Sequence, residues 1–505
     1  MKSAVIARKR SRRNGNIAAG ASPTSAARNN RSAQPAKTTA SANGHAPTMH
    51  PLVSANPRLV PAKAGDHAAI HQLLLSQFRG PSVLEFQAQL DEPLYEPTDR
   101  LLVKHRDDVV AHLRLTKRVL QFGPLQIPAA GFMDLATATA WQRRGFASAL
   151  IGAGEQQSAS EGAVLGLTRT TASDLFARHG WTACGRQTFS VAGARQILAH
   201  LRAIAPPNIL HASEDQNAAD ALLSRRSPRI PLLVRPLRRM ELPALVTLYE
   251  QCAAGAYGAT VRNEVYWDWL MARHAFERGY VAILGDHNLE LPELLAAVAG
   301  CVLVSGGRIV ELLARPGATP AIGLALLARI CSDAVERSQY DVRFDGPPQH
   351  PLHQIFRAAG GTYHSSEEHE GEVSMARLFN PLQTLRDMSA ELLLRARAAQ
   401  LQPQVLGLEV FNFDADLRRA THEDARPYRL IITQRKVRVM PGNLGRNYLK
   451  LRRRDLTPLL LGHWKLDDAL AAGRIRASTQ RAHHAAEALF PELPWHRPPL
   501  DDLVA

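Results

Sequence analysis

Hydrophobic and polar positions alternate in blocks whose period changes several times along the chain, and each change marks an element. From about Arg58, Leu59-Val60 reads as a short strand, and Asp66 stands ready to cap a helix with Ile70, Leu73, Leu74 and Phe78 at helical spacing. Leu101–Lys104 and Val109–Leu115 flank Arg106-Asp107-Asp108, which predicts a hairpin. Gln121-Phe122-Gly123-Pro124 is a second turn, followed by a strand from about Ile127 to Thr139. A helix follows Gly145 and fades near Gly162. Val164–Leu167 reads as a buried strand, Ser173–His179 as a short helix closed by Gly180, and Thr188–Val191 as a last strand. The order β-α-β-β-β-α-β-α-β predicts a mixed α/β unit.

The pattern turns polar from Asn208 to Pro228 and then restarts. Leu233-Val234 precedes a helix with Leu245, Leu248, Tyr249 and Cys252 on one face. Tyr280–Leu284, Val298–Val304 and Arg308–Leu313 are strand candidates. Ile322–Val335 reads as a helix, Asp341–Phe344 as a strand, and Leu352–Ala359 as a short helix ended by Gly360-Gly361. Val60 and Val234 correspond, as do Phe176 and Phe356. Two copies of one unit with a small insertion explain this spacing; coincidence of short matches is the competing explanation. A third segment predicts a helix over Leu382–Ala398 and strands over Val405–Phe413, Arg429–Thr433 and Lys436–Met440. Helices then follow at Asp455–Leu461, Leu466–Ala472 and Thr479–Leu489. The chain thus divides into a tail (1–57), a first unit (58–205), a linker (206–229), a second unit (230–380) and a last domain (381–505).

Composition changes this picture little. With 45% hydrophobic and 21% charged residues among 505, real cores can form. No apolar run approaches the roughly 20 residues that cross a bilayer. Four cysteines make neither a disulfide framework nor a C-x-x-C ligand set, and the histidines show no zinc spacing, so no metal and a reducing cytoplasm are expected. The net charge of +15 is unevenly placed: residues 1–57 hold nine Lys or Arg and no acid, leaving +6 for the rest. That tail has few large apolar residues and reads as disordered. Arg8–Arg13 is either a phosphate-binding arm or a solubilising run; the second is favoured, so nucleic acid is not the expected partner. Tyr266-Trp267-Asp268-Trp269 could line a pocket, though aromatics this dense more often form core.

The most informative stretch runs from Leu135 to Ala147. An extended strand enters a loop, and Gln142-Arg143-Arg144-Gly145-Phe146-Ala147 fits Q/R-x-x-G-x-G/A ahead of a helix. Main-chain N–H groups at a helix start converge where the dipole favours an anion. Gly145 and Ala147 lack bulk, so a pyrophosphate can approach, and Arg143 and Arg144 add positive charge. Downstream, Leu175-Phe176-Ala177-Arg178-His179-Gly180-Trp181 has the form L-[YF]-x-x-x-G-[FW]. Both motifs, in this order and strand context, resemble the GNAT acyltransferases. The resemblance implies that the loop holds the coenzyme A pyrophosphate, that Leu135, Ala136 and Thr137 pair with the pantetheine amides, and that Phe176 lies beside the coenzyme.

In the second half, Ile355-Phe356-Arg357-Ala358-Ala359-Gly360 echoes the later motif. Arg315-Pro316-Gly317-Ala318-Thr319-Pro320 stands where the pyrophosphate loop would be, and Pro316 and Pro320 remove N–H donors there. This predicts a degenerate GNAT copy without coenzyme. Asp455–Trp464, Gly473 and Leu489–Pro494 resemble the sterol-carrier-like domain that ends the Eis-type acetyltransferases. The expected fold is therefore mixed α/β: two tandem GNAT-type units followed by an α+β sterol-carrier-like domain, and the resemblance implies homo-oligomers, as hexamers.

The resemblance implies acetyl-CoA as cosubstrate and the primary amine of a small molecule or peptide as acceptor. Attack on the thioester needs a neutral amine, an oxyanion donor and a proton for the leaving thiolate. The family's acid Tyr falls on Phe176, which has no proton to give. The family's base, a terminal carboxylate, would be that of Ala505. Asp134 is a substitute base or else an exposed strand carboxylate; Ser173 is a candidate donor to the thiolate or else a helix cap. Two readings follow: an N-acetyltransferase, or a coenzyme-A-binding sensor or scaffold with weakened catalysis.

Overall fold

The computed structural model describes residues 56–78, 80–204, 232–285, 290–317, 320–412, 417 and 425–502. The basic tail up to residue 55, residues 205–231 with the whole linker (206–229), Ala318-Thr319, Phe413 and Ala505 lie outside the described residues.

The first unit comprises β1 (Arg58–Pro61), α1 (His67–Phe78), α2 (Val83–Leu90), β2 (Arg100–His105), β3 (Asp108–Phe122), β4 (Leu125–Thr137), α3 (Phe146–Ser160), β5 (Leu165–Thr170), α4 (Ser173–Arg178), β6 (Thr182–Ala183), β7 (Gln187–Gly193) and α5 (Ala194–Ile204). Helix α2 is absent from the pattern-based expectation. It starts at a capping box, with the Ser82 side chain accepting from Glu85 N–H and the Glu85 carboxylate accepting from Ser82 N–H. The hairpin strands are longer than their hydrophobic stretches: β3 and β4 pair from Ala111↔Thr137 to Phe122↔Leu125, closing on the Gly123-Pro124 turn.

The second unit repeats the scheme with β8 (Leu232–Pro236), α6 (Leu242–Ala253), β9 (Tyr257–Thr260), α7 (Glu264–Ala272), β10 (Arg278–Leu284), α8 (Leu291–Ala297), β11 (Val298–Ser305), β12 (Arg308–Ala314), α9 (Ala321–Glu336), β13 (Asp341–Asp345), α10 (Leu352–Ala358), β14 (Thr362–Ser366), β15 (Glu368–His369) and β16 (Glu372–Leu378). The sheets run β1-β2-β3-β4-β5-β16 and β8-β10-β11-β12-β13-β7-β14. In each, an antiparallel meander ends in one parallel pair, β4 with β5 and β12 with β13.

Each unit completes the sheet of the other. β7 forms where the sequence indicates a strand, yet it pairs with β13 and β14 of the second sheet rather than beside β5. The position next to β5 is taken by β16, in register from Val373↔Thr170 to Leu378↔Leu165. β9 also pairs with β3. An edge strand with unpaired N–H and C=O groups is a liability, and this exchange satisfies both edges.

The last domain comprises α11 (Pro381–Asp387), α12 (Ser389–Ala398), β17 (Gln404–Phe411), β18 (Arg426–Ile432), β19 (Val437–Pro441), β20 (Tyr448–Arg452), α13 (Arg453–Leu460), α14 (Leu466–Ala471), β21 (Ile475–Ala477), α15 (Gln480–Leu489) and α16 (Pro499–Asp502). The single helix expected over Leu382–Ala398 is two helices, broken at Met388, whose side chain is buried. The five-stranded sheet β19-β18-β17-β20-β21 shares one apolar core with the first sheet: Phe122, Ile127, Leu165 and Leu378 belong to the same cluster as Leu406, Leu449, Leu459 and Phe490.

The opposite face of β5 tolerates no extra atom at Gly166, where an added Cβ would lie 2.6 Å from both Phe379 Cζ and Trp181 Cη2 of the core beneath β4. Gly166→Ala should lower unfolding free energy by about 1–3 kcal/mol through overpacking, measured as a shifted urea midpoint with unchanged slope.

Candidate active site

β4 and β5 stop pairing beyond Gly131↔Leu167, and the Thr168 hydroxyl then donates to the Phe132 carbonyl at 2.9 Å. Past that point the two strands part. On its other side β4 carries a bulge. His112 faces Ala136 and Arg114 faces Met133, so Asp134 and Leu135 together oppose Leu113. Asp134 absorbs the bulge with φ of 52°, a left-handed conformation that Asp tolerates better than most residues. The main chain of Leu135, Ala136 and Thr137 therefore continues along the gap without a β5 partner.

The loop after β4 leads to α3. Gly145, with φ of 84°, is the N-cap; no side chain caps the helix, and its first main-chain bond runs from Ala149 N–H to the Gly145 carbonyl. The N–H groups of Phe146, Ala147 and Ser148 thus point out of the helix end. An added Cβ at Gly145 would meet nothing within 4 Å, so this end opens to a ligand. Gln142 Nε2 donates to the Thr137 carbonyl at 3.1 Å, and Arg144 lies 4.5 Å over the Trp141 ring while donating to the Ala140 carbonyl. Arg143, exposed and with φ of 62°, shares this loop. The loop expected to hold a diphosphate is thus brought together with the parted strands, and its residues fit such a group.

The candidate catalytic residues fare differently. Asp134 is not an exposed strand carboxylate: it accepts from Arg114 Nε at 2.7 Å with its side chain 11% exposed. Burial would raise its pKa, but Arg114 more than offsets this and holds it below the usual carboxylate range. Phe176 is 1% exposed, its ring edge-on to Trp181 with centroids 5.2 Å apart, and belongs to the core beneath β4. Ser173 opens α4 without capping it; the N-cap is Ala172, whose N–H bonds Thr170 Oγ1.

A cavity of about 280 Å³ adjoins Met133. Glu85, Ala88 and Gln89 of α2, Arg114 and Arg118 of β3, Trp269 of α7, Arg273, His274 and Asp501 line it. Trp269 therefore serves a pocket, its Nε1 donating to the Ala88 carbonyl at 2.8 Å, while Trp267 is core. A buried ionic chain runs beneath. Arg114 Nη1 meets Glu92 Oε2 at 3.0 Å, and Arg118 pairs with the same carboxylate. Arg118 lies over the Tyr266 ring, and the Tyr266 hydroxyl donates to Asp501 Oδ1 at 3.2 Å. Arg262 grips Asp501 through two bonds of 2.9 Å and Glu311 through one of 2.6 Å. For Glu92 and Asp501, burial is again outweighed, by Arg118 and Arg114 in one case and Arg262 in the other, so both stay ionised. His112 donates Nδ1–H to the Asp134 carbonyl at 2.8 Å and sits at 3.2 Å from Arg100 Nη1; burial pushes its pKa down to about 3.

Apart from the aromatic cluster Tyr266–Trp269, sequence reasoning did not single out these residues as lining a site. Polar His112 and charged Arg114, two apart on one face of the otherwise apolar stretch Val109–Leu115, were the available signal.

Residues 58–184 match the model of the acetyltransferase (GNAT) domain, and residues 394–497 that of the sterol carrier protein domain. The chain carries a GNAT domain and a sterol-carrier domain. Among solved structures, a GCN5-related N-acetyltransferase from Kribbella flavida is similar at 16% identity and TM-score 0.64, covering 88% of this chain and 98% of that one. A GCN5-related N-acetyltransferase from Anabaena variabilis follows at 15% and 0.62, covering 88% and 99%. Eis1 from Mycobacterium abscessus is similar at 15% and 0.56, covering 86% and 97%. No curated protein matches the chain. The fold over most of the chain is thus shared with these solved proteins, at identities that speak for fold alone.

Arg262→Met should leave Asp501 and Glu311 buried without their cation, costing about 3–5 kcal/mol near neutral pH. In the wild type the paired Asp501 contributes stability above its ordinary value near 3.8, lost as pH falls through the lowered folded value. In the variant the buried acids favour protonation, so its deficit should shrink on acidification from pH 7 towards 4. Urea titrations of both proteins across that range check this.

Proposed function

We propose that the protein is an acetyl-CoA-dependent N-acetyltransferase acting on the primary amine of a small molecule or peptide. One observation carries the reading: β4 lines a cavity with Met133, bulges at Asp134-Leu135 where it has parted from β5, and leads at its end into the uncapped start of α3. Acetyl-CoA would supply the thioester carbonyl. Its phosphates suit the N–H groups of the Gly145–Ala147 turn, with Arg143 adjacent. Its amides suit the unpaired edge of Leu135–Thr137. The acceptor enters from the opposite side, past Trp269, into the cavity beside Met133.

Holding amine and thioester in one geometry supplies much of the rate advantage of such a reaction. The buried carboxylates in and beside the cavity, Glu92, Asp501 and Asp134, are poor proton acceptors, since each is held ionised by arginine. The amine is therefore used as its free base, and the rate should follow the acceptor's own titration. A second reading, a coenzyme-A-binding sensor or scaffold with weakened catalysis, is favoured by Phe176, which offers no proton to the leaving thiolate.

Calorimetry with coenzyme A and a thiol-release assay over a broad amine panel separate these readings. Binding with turnover supports the transferase, binding without turnover supports the sensor, and no binding removes both. Gly145→Val, which forces a β-branched residue into a left-handed turn, should weaken coenzyme affinity about tenfold or more. Below the acceptor's pKa, kcat/KM should climb about tenfold per pH unit; a plateau between pH 6 and 8 would reveal an enzyme base instead.

A further inference from the structure

Behind β5, at the level where it leaves β4, lies a second crevice of about 60 Å³, room for a group of a few heavy atoms. Four arginines from different parts of the fold line it: Arg169 of β5, Arg186 between β6 and β7, Arg308 of β12, and Arg497 of the segment before α16. Only one carboxylate, Asp345, is among its walls. Arg169 meets Glu372 at 2.6 Å. Arg308 commits its Nε to Asp345 Oδ2 at 3.1 Å, while its two terminal nitrogens have no hydrogen bond among the described residues. Arg343 takes up the same Asp345 carboxylate, so that acid is already shared by two cations. Arg186 makes no hydrogen bond or close ion pair among the described residues, although its charge helps lower the pKa of Glu367, an acid that His463 already holds at 3.1 Å.

This crevice and the larger cavity are neighbours. Thr168, in the wall of the crevice, bonds the carbonyl of Phe132, the residue before Met133, which lines the cavity. α16 borders both, with Pro499 lining the crevice and Asp501 the cavity. Guanidinium groups crowded into a small space repel one another, and an oxyanion relieves that repulsion while accepting forked hydrogen bonds.

We propose that the arginine crevice binds the carboxylate of the acceptor, so that the substrate is an amino acid or peptide whose amine and free carboxylate are gripped in the two pockets that α16 borders. The assignment rests on the transferase reading for its amine half and on the arginines alone for its carboxylate half. Arg186 and Arg308 make the contact, because theirs are the uncommitted donors. Both units contribute, so the site exists only in the strand-exchanged fold.

The test compares Nα-acetyl-lysine with its carboxamide on the full chain, since both offer the same side-chain amine. The acid should be acetylated with kcat/KM about tenfold or more above the amide, and in Arg186→Gln and Arg308→Gln this ratio should fall towards one. Equal rates for acid and amide, or a ratio that survives both substitutions, overturn the proposal. If no turnover is found with either compound, calorimetry of each on the chain alone decides. Tighter binding of the acid, lost in the two variants, upholds the crevice while the transferase reading falls; equal binding overturns the crevice. Inorganic phosphate bound in the crevice with no preference for acid over amide also overturns it, as a site for free anions.

Discussion

Charges buried between the two units must be paired, and that constraint organises the site. Arg114, Arg118 and Arg262 have almost no contact with water, and each is flanked by carboxylates of other elements. Removing an ion from water is expensive unless partners of opposite sign are held in good geometry. The geometry here draws on β3, the turn after α2, β12 and α16, so the position of α16 is set by the same pairs that hold the bulged strand. Asp134 is one end of this chain and Glu311 the other, and the cavity beside Met133 lies along it.

The bulge and the parting of the strands are two effects of one departure from regular pairing. One additional residue in β4 reverses which groups face β3, and the same strand then runs beside β5 without bonding to it. Apolar packing compensates: Phe132, Trp181 and Phe176 fill the space under the parted strands. Phe176, aligned by motif with an acid, is better understood here as part of that floor. The second unit shows the same parting beyond Ile309↔Phe344, but the cavity there is lined by Pro494, His496 and Pro498 of the segment that precedes α16.

Local chemistry made much of this legible in the sequence. Gly145 and its neighbours announce a turn into a helix whatever surrounds them, and hydrophobic period locates α3, β5, β12 and α9 to within a few residues. Helix α2 was not read, although the Ser82-x-x-Glu85 box was there as a local signal for its start. What the sequence did not disclose depends on contacts between distant residues. Nothing near Thr188–Val191 indicates which sheet that strand will join, because its alternation suits either. Arg262 and Asp501 are 239 residues apart, and each alone reads as an ordinary surface charge. Phe176 was located correctly on a helix, but its burial follows from Trp181 and from the sheet above.

The exchanged strands also bear on how the chain comes to be folded during synthesis. β5 emerges from the ribosome long before its neighbour β16, which begins at Glu372. At translation speeds of about 5–20 residues per second, the interval is on the order of 10–40 s. Throughout that time the nascent sheet presents an unmatched margin, and β7 has no partner either until β13 and β14 are made. Neither half of the polypeptide is then a self-sufficient product, and a gene cut at the linker would encode two fragments that each display an open flank.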